Sequence, residues 1–164
     1  MKKWILAILL LWGGYTLQAQ EAREGAKLYN PAADANADIK QAVKQAQQQH
    51  KNVMLMVGGN WCIWCTRFNQ TVTGNDTLSK LMSDNYVLVH VNYEKKNAGD
   101  KLWAGLGYPQ RFGFPVFVIL DNKGNRIHTQ NSGYLEEGKG HSPAKIAEFL
   151  QQWSPAAVAG KTLR

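Results

Sequence analysis

The sequence predicts an α/β domain in which a mixed central sheet of about four to five strands is covered by helices on both faces. Three observations predict it. Short runs rich in apolar and β-branched residues (Val53–Val57, Tyr86–Asn92, Val116–Leu120) alternate with stretches whose apolar residues recur at helical spacing. Val53–Val57 is apolar at every position, as a strand covered on both faces requires. Asp121-Asn122-Lys123-Gly124-Asn125 carries turn chemistry between two strand-like runs, so the sheet gains an antiparallel edge. The earlier alternation of strand and helix calls for right-handed crossovers and parallel pairing.

Taken in order, residues 20–36 (QEAREGAKLYNPAADAN) are mixed and small, and read as a loose N-terminal arm in which Pro31 and Asn36 mark a turn. From Ala37 to His50, Ile39, Ala42, Val43 and Ala46 form one apolar stripe of a helix, which Lys51-Asn52 ends. After the first strand, Gly58-Gly59-Asn60 is a hinge, and a helix opens at Cys62 and runs to Gln70. Thr71–Asn75 contains Gly74 and breaks it. Asp76 can cap a second piece, Thr77–Asn85, whose Leu78, Leu81 and Met82 face inward. Tyr86–Asn92 is the second strand, Glu94–Gly99 a polar loop, and Lys101–Leu106 a short helix ended by Gly105 or Gly107. Val116–Leu120 is the third strand and Arg126–Gln130 returns as the fourth. Ser132–Gly140 reads as a glycine-bearing loop. Ser142 caps the last helix, with Pro143 at its first position, where a missing N–H costs nothing. Ile146, Phe149, Leu150 and Trp153 give that helix its apolar stripe, and the tail from Pro155 reads as frayed. Residues 36–154 thus make one domain, flanked by an arm at 20–35 and a tail at 155–164, without internal repeats.

The first residues carry a different signal. Lys2 and Lys3 precede an uncharged run, Trp4–Trp12, and then Leu17-Gln18-Ala19. That order of basic, short apolar and small residues is expected of a signal peptide spanning 1–19 and cleaved after Ala19. The apolar run falls short of the roughly 20 residues a spanning helix needs. An uncleaved anchor is the alternative. The expected location is therefore periplasmic or otherwise extracytoplasmic, where disulfides persist. The formal net charge is +7, but the lysines and arginines are scattered with no run of five like charges. A solvated basic surface accounts for this pattern, and a nucleic-acid-binding face is not expected.

The chemistry concentrates in Trp61-Cys62-Ile63-Trp64-Cys65, which holds both cysteines of the chain. Cys62 falls where a strand turns into a helix. Unpaired N–H groups and the positive end of the helix dipole favour negative charge there, and the thiolate is the nucleophile of disulfide exchange. Cys65 lies one turn on, near enough to close a disulfide. Zinc would need further ligands at short spacing, whereas His50, His90, His128 and His141 are scattered. Residue 66 is Thr, so the haem-attachment pattern Cys-x-x-Cys-His is absent. A purely structural disulfide would close a tiny loop and staple weakly. A reduced pair could also hold Cu(I), for which Met54 and Met56 are nearby but read as core.

With the element order, Trp-Cys-x-x-Cys at a strand-to-helix junction, Gly113-Phe114-Pro115 directly before a strand and the 121–125 hairpin, the chain resembles the thioredoxin-fold family over about residues 36–153. Its helix before the first strand and its Gly-Gly-Asn-Trp approach to Cys62 resemble the exported thioredoxin-like group of disulfide reductases and isomerases. The resemblance implies Cys62 as nucleophile, Cys65 as resolving thiol, and Pro115 as a cis-proline beside them. It implies that the backbone of Phe114 pairs with an extended substrate by strand addition. Trp61, Trp64 and Phe114 would surround the reactive sulfur as an apolar platform, to which Trp103 and Tyr108 could add.

The resemblance implies no organic cofactor or metal. The expected partners are cysteine-containing proteins and a membrane-embedded redox donor, and a monomer is expected. A thioredoxin-fold binding or chaperone module with a static disulfide is the non-enzymatic alternative. Two departures from the family stand out. Met56 occupies the place of the buried acid that thioredoxins use to accept the resolving thiol's proton, which leaves water or another group, with Glu94 as one candidate. The intervening dipeptide Ile63-Trp64 contains no histidine, which tilts the expectation away from a strong oxidase.

Overall fold

The computed structural model of the chain describes residues 27–97 and 101–160, so the expected signal peptide lies outside the described residues. The first helix, α1 (Ala35–Gln49), begins two residues before the expected start at Ala37. Asp34 is the reason: its Oδ1 accepts from the N–H groups of Asn36 and Ala37 at 3.0 and 3.1 Å. The helix ends at His50, whose left-handed backbone (φ 56°) turns the chain into β1 (Asn52–Gly58).

Cys62 is the N-cap of α2 (Ile63–Thr73). The break at Gly74 separates α2 from α3 (Asp76–Asn85) as expected, but the cap is Asn75 and not Asp76. Asn75 has the extended backbone a cap needs, and its Oδ1 accepts from Leu78 N–H at 3.0 Å. Asp76 instead sits in the first turn, where a carboxylate meets the favourable end of the dipole.

Strands β2 (Tyr86–Asn92), β3 (Val116–Leu120) and β4 (Arg126–Asn131) complete a sheet of order β2-β1-β3-β4. β1 and β2 run parallel with Met56 opposite His90, while β1–β3 and β3–β4 are antiparallel. The sheet is therefore mixed. Its inner strands β1 and β3 are buried at every residue, which is why they carry no alternation.

The two faces hold separate cores. Met54, Met56, Phe117 and Ile119 pack with Phe68, Leu78, Ile146 and Leu150 of α2, α3 and the later helix α5 (Pro143–Gln152). Val53, Leu55, Val57, Val116 and Val118 pack with Ala42 and Ala46 of α1 and with Trp103 of α4 (Lys101–Gly105). Each fully buried aliphatic or aromatic side chain contributes about 1.5–3 kcal/mol, so this three-layer burial holds the sheet rigid beneath the cysteine pair.

Three segments differ from the sequence reading. Residues 132–140 are not a plain loop: a single 3-10 turn (Ser132–Leu135) leads into a two-stranded ribbon, β5 (Glu136–Glu137) and β6 (Gly140–His141). Strands of two residues leave no periodicity to read. The segment after Pro155 forms a helical turn, α6 (Pro155–Val158), because Ser154 Oγ caps it at Ala157 N–H. Trp103 is buried in the second core with its Nε1–H donated to Asn97 O at 2.6 Å, and so adds nothing to an exposed platform.

Candidate active site

The turn from β1 into α2 places the two cysteines 5.3 Å apart between Cα atoms, joined as a disulfide. Cys62 Sγ accepts from the N–H of Cys65 at 3.1 Å, the contact a thiolate at this position would strengthen. Cys62 retains slight exposure and Cys65 none (5% and 0%), so an incoming disulfide can reach only the first sulfur.

Gly113-Phe114-Pro115 precedes β3, and the Phe114–Pro115 peptide is cis. Phe114 is brought against the cysteine turn by Trp61, whose ring it meets edge-on at 5.1 Å between centroids. Tyr93 closes the other side of Phe114 at 4.9 Å, and its carbonyl accepts from Trp61 Nε1–H at 3.2 Å. Trp61 is 58% exposed and Ile63 57% exposed, which leaves an apolar surface around the Cys62 side. Trp64 is half-buried. Its ring meets His141 edge-on at 5.6 Å and is covered by the Arg67 guanidinium at 4.8 Å. Burial first, and repulsion by Arg67 second, hold His141 below the ordinary histidine range, and neither ring nitrogen has a protein partner among the described residues.

The side of the pair facing the core was not legible in the sequence. Gly58 ends β1 against Cys65: a Cβ there would lie 2.5 Å from Cys65 Sγ and 2.7 Å from Tyr29 Oη. Tyr29 belongs to the segment expected to be a loose arm, yet it is fully buried in the core cluster that includes both cysteines. Asn60 fastens it. Asn60 Oδ1 accepts from Tyr29 N–H at 3.0 Å and its Nδ2 donates to Tyr29 O at 2.8 Å. The one available signal was an aromatic residue in an otherwise small and polar segment.

Glu94, the acid considered for proton transfer, is engaged elsewhere. It accepts from Asn92 Nδ2 at 3.0 Å and pairs with Lys96 at 3.2 Å. The Asn92 and Lys96 hydrogen bonds hold its carboxyl below the usual range, which makes it a poorer proton acceptor.

A family model described as Thioredoxin-like matches residues 34–122. An uncharacterized protein of Caenorhabditis elegans is 30% identical over 152 aligned positions, covering 76% of this chain and 20% of that protein. Spermatogenesis-associated protein 20 of Mus musculus is 28% identical over 75 positions, covering 46% of this chain and 9% of that protein. The chain thus spans a fifth or less of these curated relatives. The crystal structure of a disulphide isomerase from Xylella fastidiosa Temecula1 superposes with a TM-score of 0.67 at 24% identity, over 76% of this chain and 95% of that one. At that identity the likeness establishes the fold.

Proposed function

Because the chain belongs to the thioredoxin-like family, we propose that it is a thiol-disulfide oxidoreductase that exchanges disulfides with cysteine-containing proteins, as a reductant or isomerase. The observation that carries this reading is Cys62 at the N-cap of α2, bonded to a fully buried Cys65. An asymmetric pair of this kind performs two displacements in a fixed order. The Cys62 thiolate attacks a substrate disulfide, forming a mixed disulfide and expelling one substrate thiolate, which takes up a proton. Cys65, losing its proton, then attacks Cys62 Sγ. The bond from Cys62 to substrate breaks, the second substrate sulfur leaves as a thiol, and the Cys62–Cys65 disulfide remains. Two electrons pass from the pair to the substrate, and the reverse sequence oxidises a dithiol.

Trp61, Ile63 and Phe114 supply the apolar surface on which an extended polypeptide would lie, with Phe114 backbone and the Pro115 turn pairing its main chain. No histidine stands between the cysteines to favour the thiolate further, which supports a reductant or isomerase over a strong oxidase. The basic, apolar, then small order of residues 1–19 supports export. A reductant outside the cytosol must be recharged, so the proposed partner is a membrane-embedded electron donor.

The test is the reduction potential of the pair in glutathione or dithiothreitol buffers. A value of about −270 to −220 mV marks a reductant, and one of about −180 to −120 mV an isomerase or oxidase. A bond below about −300 mV that resists glutathione would instead make the disulfide structural and overturn the enzymatic reading.

A further inference from the structure

Resting on the exchange reading above, we propose that Tyr29 is the residue that receives Cys65 when the disulfide opens. Its phenolic hydroxyl donates a hydrogen bond to Cys65 Sγ in the reduced protein and in the mixed disulfide.

Four observations carry this. First, Tyr29 Oη and Cys65 Sγ both crowd the same face of Gly58. They lie 2.7 and 2.5 Å from a common point there, so they are no farther apart than those two distances laid end to end. Only the missing glycine side chain leaves that approach open. Second, Tyr29 Oη is buried and has no hydrogen-bond partner among the described residues while the disulfide is closed. A disulfide sulfur is a poor acceptor, the thiol that opening releases is a weak one and the thiolate formed from it a strong one, so opening the bond supplies the missing partner. Third, the position is held from outside the side chain, by the paired hydrogen bonds between Asn60 and the Tyr29 backbone. Asn60 lies in the turn that carries the cysteines, which makes it a positioning residue for Tyr29. Fourth, the strand beneath Cys65 offers nothing else, since Val53–Val57 contains no ionisable group. Burial raises the phenol's pKa, so it stays protonated and acts as donor.

The consequence falls on the second displacement. Cys65 must shed its proton before it attacks Cys62 Sγ, and a donor aimed at Sγ favours the thiolate. The proton lost is balanced by the one the departing substrate sulfur takes up, so Tyr29 itself is unchanged across the cycle. The same bond stabilises the reduced pair relative to the closed disulfide, in which the hydroxyl is unsatisfied. One hydrogen bond of ordinary strength corresponds to about fivefold in the equilibrium constant.

Wild type and Tyr29→Phe are to be equilibrated with glutathione buffers at one fixed pH, with circular dichroism as the check on folding. The expected result is a shift of about fivefold toward the disulfide in the variant, about 20 mV more negative. Release of substrate from the mixed disulfide should slow, while formation of the mixed disulfide should not. An equilibrium constant within twofold of wild type overturns the role of Tyr29 and leaves exchange by Cys62 and Cys65 standing. A wild-type disulfide inert to glutathione overturns the exchange reading itself, and this inference with it. Should Tyr29→Phe not fold, tyrosine labelled with 13C at Cζ reads the same bond in wild type. The Tyr29 resonance is expected to move on reduction, and one that stays in place overturns the proposal.

Discussion

The two sulfurs of one disulfide look out on different surroundings. Cys62 sits at a helix start beside exposed apolar side chains, Trp61 and Ile63. Cys65 faces the protein, against Gly58, with Tyr29 behind it. The first environment suits meeting another chain and the second suits completing a reaction already begun. Under the exchange reading proposed above, a division of labour within the pair would be set by which side of a single helical turn each sulfur occupies, and not by any chemical difference between the residues.

The largest effects should come from removing either sulfur, and the two removals should differ. Cys62→Ser is expected to bring disulfide exchange down to the uncatalysed background, whereas Cys65→Ser should accumulate a mixed disulfide with substrate through Cys62. Non-reducing gels after incubation with a disulfide-bonded protein distinguish them, and equal behaviour of the two variants would erase the asymmetry. Next in size is Gly58→Ala. Its Cβ would press on Cys65 Sγ and Tyr29 Oη together, so a loss of about 1–3 kcal/mol in denaturant unfolding is expected. A smaller change, confined to the outer side, is expected from Trp61→Ala: a several-fold rise in KM for protein substrates with the reduction potential unmoved. A shift in potential instead would mean that Trp61 acts on the sulfur and not on the substrate.

The mildest effect concerns pH. His90 and His141 are both held below their ordinary pKa of 6.5 by burial, with Arg67 also acting on His141. The unfolded chain therefore binds protons more readily than the folded one in acid. The contribution of these groups to stability is full above about pH 6.5 and is lost as the pH falls below it. Melting curves between pH 7.5 and 5 should show this decline, flattened in His141→Phe. An equal decline in that variant would remove His141 as a cause.

Much of the molecule was legible because local rules and tertiary demands agree. The unbroken apolar runs at Val53–Val57 and Val116–Leu120 announced strands covered on both sides, and the sheet buries every residue of both. Cys62 announced a helix start, and the helix begins at Ile63. Gly113-Phe114-Pro115 is legible through its resemblance to a family, and the Phe114–Pro115 peptide is cis. The ribbon at Glu136–His141 is not legible because two-residue strands have no period, and the burial of Trp103 is not legible because a short helix carries too few residues to show which face is inward.

What the sequence determined alone is the order of elements and the place of the two cysteines, since strand periodicity, turn chemistry and helix capping act within a few residues. What stands behind Cys65 depends on long-range packing. Tyr29 lies 31 residues from Asn60, the residue that fastens it to the cysteine turn. No local pattern encodes a contact of that range. It exists because the arm folds over the end of β1, where a glycine leaves room for a hydroxyl and a sulfur to approach one another.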